Sequence, residues 1–294
     1  MLKPTILMIL FFSAAAFSAI VFSTPEDPLE RKQYTASLNS MASIVMNWYG
    51  NVLHTDGVKP DDWQDYIAQF PDGITQIEIT GTDLVQLATN KQYQFIVDIK
   101  LRNKHKNKFI TQTMSNTFLF GFDVSKKITL QKITSTPAQE IENQSTEIIS
   151  DNEFTHSYFM DRAVAYAWLA YLDGSVLPEE LKNQFDQVQY TLTMGNHSWQ
   201  DSASTVLSKR QPYLAVGGHV LRVVKAEQTG KASDRQLMTL TIEWKGMDKD
   251  GTPVWANIQQ IIEYRLLKSG GWEIMSVKEK HLLPDTQPWI GLLC

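Results

Sequence analysis

Cysteine is almost missing from this chain: of 294 residues one is a cysteine, and it is the last, Cys294. A single thiol excludes an intrachain disulfide framework and a cysteine-based zinc centre. Its terminal place also excludes a prenylation box, which needs three residues after the cysteine. A strong charge of either sign is missing too. Lys and Arg number 27 against 32 Asp and Glu, a net charge of -5, which argues against nucleic acid as a main partner. The basic tip Arg102, Lys104, His105, Lys106 and Lys108 reads as a solvated hairpin end. No Gly-x-Ser-x-Gly elbow, Walker loop or dinucleotide fingerprint occurs, so the chemistries those motifs serve have no support. The six histidines are His54, His105, His156, His197, His219 and His281. None stands at metal-ligand spacing with another His, Asp or Glu on one element, so they are expected on the surface or in loops. No metal, cofactor or catalytic residue is expected.

What is there describes a foldable, exported protein. Hydrophobic residues make up 43% and charged ones 20%, an ordinary balance for a packed core. Lys3 precedes an uncharged run from Pro4 to Thr24. Its length lies between a signal-peptide core and a spanning helix, so residues 1–23 read as a signal peptide or a membrane anchor. If uncleaved, residues 5–22 cross the membrane. Lys3 then lies inside and Glu26, Asp27 and Glu30 lie outside, so the body is extracytoplasmic.

The clearest pattern is the stretch from Val254 to Leu266. Val254, Ala256, Ile258, Gln260, Ile262, Tyr264 and Leu266 fall on one face of a long strand. Before it, Met238, Leu240, Ile242 and Trp244 alternate inward; after it, Trp272 to Val277 form a third strand of a meander. Further upstream, Leu38, Met41, Ala42, Val45, Trp48, Tyr49 and Val52 recur at helical spacing. Pro60 opens a short helix ending at Phe70, and a hairpin built from Tyr93–Leu101 and Phe109–Phe122 follows. The polar stretch after Ser135 reads as a linker. Beyond it a helix is expected from His156 to Tyr171, a short one from Pro178 to Phe185, and then strands.

The two halves repeat one order of residues. Trp48, Asp56-Gly57, Pro60-Asp61-Asp62 and Phe70 stand against Trp168, Asp173-Gly174, Pro178-Glu179-Glu180 and Phe185. The expected fold is therefore α+β: two tandem cone-shaped domains, each a helix pair packed on a curved antiparallel sheet. The first covers residues 30–135 and the second 154–285. Residues 136–153 form the linker and 286–294 an apolar tail.

An acid/base site inside such a cone needs an inward carboxylate. Asp98, Glu243 and Glu263 fall on polar faces, so none is predicted. The polar residue on the core face of the long strand is Gln260, with Tyr264 nearby; these two are the candidate ligand-binding residues. Gly217-Gly218 reads as a bulge or bend.

Ala42 to Gly73, Ala163 to Phe185 and the closing Tyr264 to Ile274, placed after an N-terminal hydrophobic segment, carry a resemblance. They resemble tandem cystatin-like domains of the nuclear-transport-factor superfamily, as in TcpC-type conjugation proteins, counterparts of the VirB-type scaffold of type IV secretion. That resemblance implies a non-catalytic scaffold that associates with itself and with other envelope subunits. Two other classes stay open: an exported small-molecule-binding protein, and an isomerase-like enzyme using one cone.

Overall fold

The computed structural model describes residues 25–53, 66, 70, 73–87, 92–105, 108–137, 139–140, 155–195, 197–210, 216–228, 235–248, 250–267 and 271–282. The N-terminal hydrophobic run, the apolar tail, the charged hairpin tip at 106–107 and most of the short helix before Phe70 lie outside them. No described helix is long and apolar enough to cross a membrane.

The described residues build an α+β fold with four helices and two open sheets, consistent with the expected cone-like form. The first half contains helix α1, Pro28–Leu53, and strands β1, Ile74–Leu87, β2, Gln92–His105, β3, Lys108–Phe122, and β4, Ile128–Ser135. These four strands form an antiparallel meander in the order β1-β2-β3-β4. The stretch read as a linker is not wholly free. Its Gln139–Glu140 forms strand β5 and pairs with Gln112 and Thr113 of β3, which runs on beyond the end of β4 and offers unpaired ladder positions.

The second half contains α2, His156–Leu172, α3, Glu179–Asp186, β6, Gln189–Met194, β7, His197–Ser202, α4, Ala203–Arg210, β8, Val216–Gln228, β9, Arg235–Met247, β10, Pro253–Leu266, and β11, Trp272–Leu282. Its sheet has the order β7-β6-β11-β10-β9-β8. The expected meander is there as β8 to β11. The expectation of a purely antiparallel sheet is corrected: β6 pairs parallel with β11. Hairpin β6–β7 and helix α4 stand between the short helix and the meander. Alternating Tyr190, Leu192 and Met194 bury one face of β6, but a run this short carries little sequence signal.

The long strand folds as its alternation dictates. Every second residue from Val254 to Tyr264 is buried and its neighbours face out. Above this face lies α2, in which every residue from Tyr158 to Ala170 is buried, Asp161 and Arg162 among them. Trp168 packs edge-on against Phe185 and Tyr190, at 5.7 and 5.6 Å between ring centres. In the first half Trp48 packs likewise against Tyr66 and Phe118, at 4.9 and 5.3 Å.

Helix α1 serves both halves. Asp27 caps it, its carboxylate accepting from the amides of Leu29 and Glu30. One face carries the predicted stripe onto the first sheet. A second buried face carries Thr35, Asn39 and Ser40, whose polar side chains gave no apolar signature. It lies against α2 and β8, where Ser43 donates to the Ala163 carbonyl at 2.8 Å. Small residues let these elements meet closely. A Cβ on Gly218 of β8 would collide with Thr35, and one on Gly50 would press on Met160. Gly217 and Gly218 therefore mark close approach, correcting the expected bulge; the irregularity of β8 falls at Leu221–Val223. Buried residues of both halves join in one continuous cluster.

Candidate functional site

Both sequence-predicted site residues lie on the core face of β10, and both are fully buried. The structure does not bring them together as one pocket wall. Each is bonded to a different carboxyl group that the sequence reading did not point inward.

Gln260 belongs to a cluster centred on Glu279 of β11. Glu279 Oε2 accepts from Tyr190 Oη at 2.6 Å and from Gln260 Nε2 at 2.5 Å, and Oε1 lies 2.7 Å from His281 Nε2. The register explains the convergence, since Gln260 faces Glu279 across the β10–β11 pair and Ile258 faces His281. Tyr190 arrives from β6 beside β11, where the parallel register sets it against Val277. Two atoms of the cluster, Gln260 Oε1 and His281 Nδ1, are buried with no partner among the described residues.

Tyr264 instead donates its hydroxyl to Asp161 of α2. Burial pushes the Asp161 carboxyl up to about 6, while the Tyr264 hydrogen bond and the adjacent Arg162 pull it down. The same burial, reinforced by Asp161, drives the Tyr264 phenol far above its ordinary value. Arg162 turns the other way, its guanidinium 3.4 Å from the centre of the Tyr158 ring. The Asp161 carboxyl therefore keeps its proton up to about pH 6, beside a neutral phenol and in a region closed to solvent.

A third buried group sits where the halves meet. Asp173, just past α2, lies 2.5 Å from His219 Nδ1 and accepts from the His219 amide. Asn39 of α1 donates to Asp173 Oδ2 and to the His219 carbonyl, each at 3.2 Å. This group ties α1, α2 and β8 through polar atoms that the surrounding core hides from water.

The surface and loop expectation for histidines is therefore corrected for His219 and His281. Both are buried, at 2% and 4% exposure, because a neighbouring carboxyl satisfies one ring nitrogen. The expectation of no inward carboxylate is corrected by Asp161, Asp173 and Glu279. A signal for one of them was present. The alternation of β11 continues past Val277, so Glu279 and His281 follow it inward. Asp98 and Glu263 do face outward, and Glu243 pairs on the outer face with Arg222 and Lys245. Among the described residues no group of three His, Cys, Asp or Glu side chains could hold a metal ion.

A large concavity lies elsewhere among the described residues, between α1, the first sheet and the segment after α2. It has a volume of about 960 Å³ and is lined by Pro25, Tyr34, Tyr93, Phe122, Lys126 and Val176 among others. Burial raises the phenols of Tyr34 and Tyr93 above their ordinary values.

No protein-family model matches the chain, and no curated protein matches it. Solved structures do show likeness to parts of it. A calcium/calmodulin-dependent protein kinase II association domain from Xanthomonas campestris is 14% identical, over 36% of this chain and 74% of that one, with a TM-score of 0.28. Candida albicans Mtr2 is 10% identical over 42% and 94%, at 0.31. A protein described as an aromatic ring hydroxylase, from Novosphingobium aromaticivorans, is 16% identical over 42% and 88%, at 0.32.

Proposed function

We propose that this chain is a non-catalytic interaction scaffold of the cell envelope, built by duplication of one α+β unit, with residues 30–135 and 154–285 as the two copies. The observation that carries the scaffold reading is the burial of the two candidate ligand contacts: Gln260 Nε2 and the Tyr264 hydroxyl are hydrogen-bonded to Glu279 and Asp161 inside the core. The chain then works through its outer surfaces.

The duplication rests on matching irregularities in the two meanders. The first strand of each carries an extra residue at its seventh position, Thr80 in β1 and Arg222 in β8; β1 carries a further one, Thr75, without a counterpart. The last strand of each carries one at its fourth, Gln131 in β4 and Met275 in β11. Bulges are retained as devices that bend a sheet, so coincidence at two places favours a common origin. The finer form of the proposal is a subunit of a conjugative, type IV secretion-like apparatus, supported by the sequence resemblance alone. Its body is extracytoplasmic and its anchor is residues 5–22.

Sedimentation velocity of the full chain in detergent micelles tests the scaffold reading. Self-association that grows with protein concentration is expected. A strictly monomeric chain, stabilised by a small molecule whose effect Gln260→Leu abolishes, would overturn it. Mass spectrometry of the N-terminus from the host tests the anchor; loss of residues 1–23 refutes it.

One observation favours a second reading, an acid/base enzyme of the isomerase type. Burial holds the Asp161 carboxyl at about 6, so it gives up its proton just below neutral pH beside a phenol that stays neutral, a placing that general acid/base chemistry uses. Access for a substrate through a transient opening is what this reading requires.

A further inference from the structure

The three most exposed large apolar side chains among the described residues are Val124, Leu29 and Val176, at 106%, 57% and 45%. They come from three distant parts of the sequence, yet each belongs to a segment that contributes to the same cleft. Val176 lines it. Leu29 precedes Glu30, which lines it, and Val124 stands between the lining residues Phe122 and Lys126. Apolar side chains gathered around one cleft mark a contact surface.

Two features show that the rim of this cleft is built. Val124 sits at the tip of the β3–β4 turn, which one carboxylate organises. Asp123 Oδ1 accepts from the amides of Ser125 and Lys127 and from the Ser125 hydroxyl, at 2.6 to 3.0 Å. The valine is thus held out on a fixed turn. The second feature is the way the chain enters. Arg31 donates to the carbonyls of Pro25 and Glu26, at 2.7 and 3.2 Å. This pins the entering chain against the first turn of α1, with Pro25 itself in the cleft wall. The uncharged run Pro4 to Thr24 joins the body at this rim.

We propose that this rim rests on the lipid bilayer surface, with Val124, Leu29 and Val176 dipping into its headgroup region. The proposal rests on the anchor reading above. It goes further, because an anchor alone would let the body tumble on its tether, whereas this surface fixes which end faces the membrane. Three side chains bind a bilayer weakly on their own; joined to a spanning segment they act at high effective concentration.

The test uses the full chain with Cys294→Ser, reconstituted in vesicles of phosphatidylcholine and phosphatidylglycerol carrying a nitroxide-labelled lipid. Single cysteines, Val124→Cys, Val176→Cys and, on the outer face of the second sheet, Trp255→Cys, receive an environment-sensitive fluorophore. Severalfold stronger quenching at 124 and 176 than at 255 is the expected result. Equal quenching at all three positions, with the chain still floating with the vesicles after urea extraction, overturns the rim assignment and leaves the anchor standing. A chain that no longer floats overturns the anchor reading, and the assignment with it.

Discussion

Replacing Asp161 by asparagine should make the protein more stable at neutral pH. Burial holds the carboxyl of Asp161 at about 6 in the fold, whereas in an unfolded chain it titrates near ~3.9. The native state therefore binds this proton more tightly than the unfolded state does. The stabilising contribution is fully present below pH ~3.9 and is lost as pH rises through about 6. The gap between those two values, at ~1.36 kcal/mol per unit, corresponds to about 3 kcal/mol. Asparagine cannot ionise, and its Oδ1 can still accept the Tyr264 hydroxyl, so the variant mimics the protonated acid. Urea unfolding of both proteins at about pH 4 and about pH 8 reads the difference directly. Near the lower pH the two should agree; near the higher the variant should lead by about 3 kcal/mol. Because wild type and variant share every other titrating group, general acid effects cancel. A variant weaker than wild type at about pH 8, or a gap that does not change with pH, would refute the reasoning.

Other consequences follow from the same buried groups and from the shared helix. Glu279→Ala leaves Tyr190, Gln260 and His281 without their common acceptor; a loss of about 3–5 kcal/mol is expected in chemical denaturation, and Glu279→Gln should recover part of it. Gly218→Val drives a side chain into Thr35 of α1, so a loss of about 1–3 kcal/mol is expected, and an unchanged melting temperature would mean that α1 does not sit on β8. Ile258→Asp places a charge in the fully buried core face of β10; soluble, cooperatively melting protein would contradict that burial. Limited proteolysis should cut within the polar stretch at 141–152, yet the fragments should elute together from a sizing column, because α1 packs on α2 and β8 and the core is continuous. Fragments that separate would show that the halves are independent.

Sequence periodicity by itself determined the secondary structure of the strongest elements. Alternation fixes which face of β9 and β10 turns inward, since a slip by one residue would expose the whole apolar set. Helical spacing did the same for the stripe on α1 that meets the first sheet. The polar half of the interior was not legible. Asn39, Asp161, Asp173 and His219 have no apolar signature, and their burial depends on partners distant in the chain: Asn39 meets Asp173 and His219, and Asp161 meets Tyr264. Only the tertiary structure could decide that α1 has two buried faces or that β6 pairs parallel with β11. The physical reason is the same in each case. Transfer of apolar groups from water is a property each residue carries with it, whereas a buried polar atom is tolerated only where the fold delivers its hydrogen-bond partner.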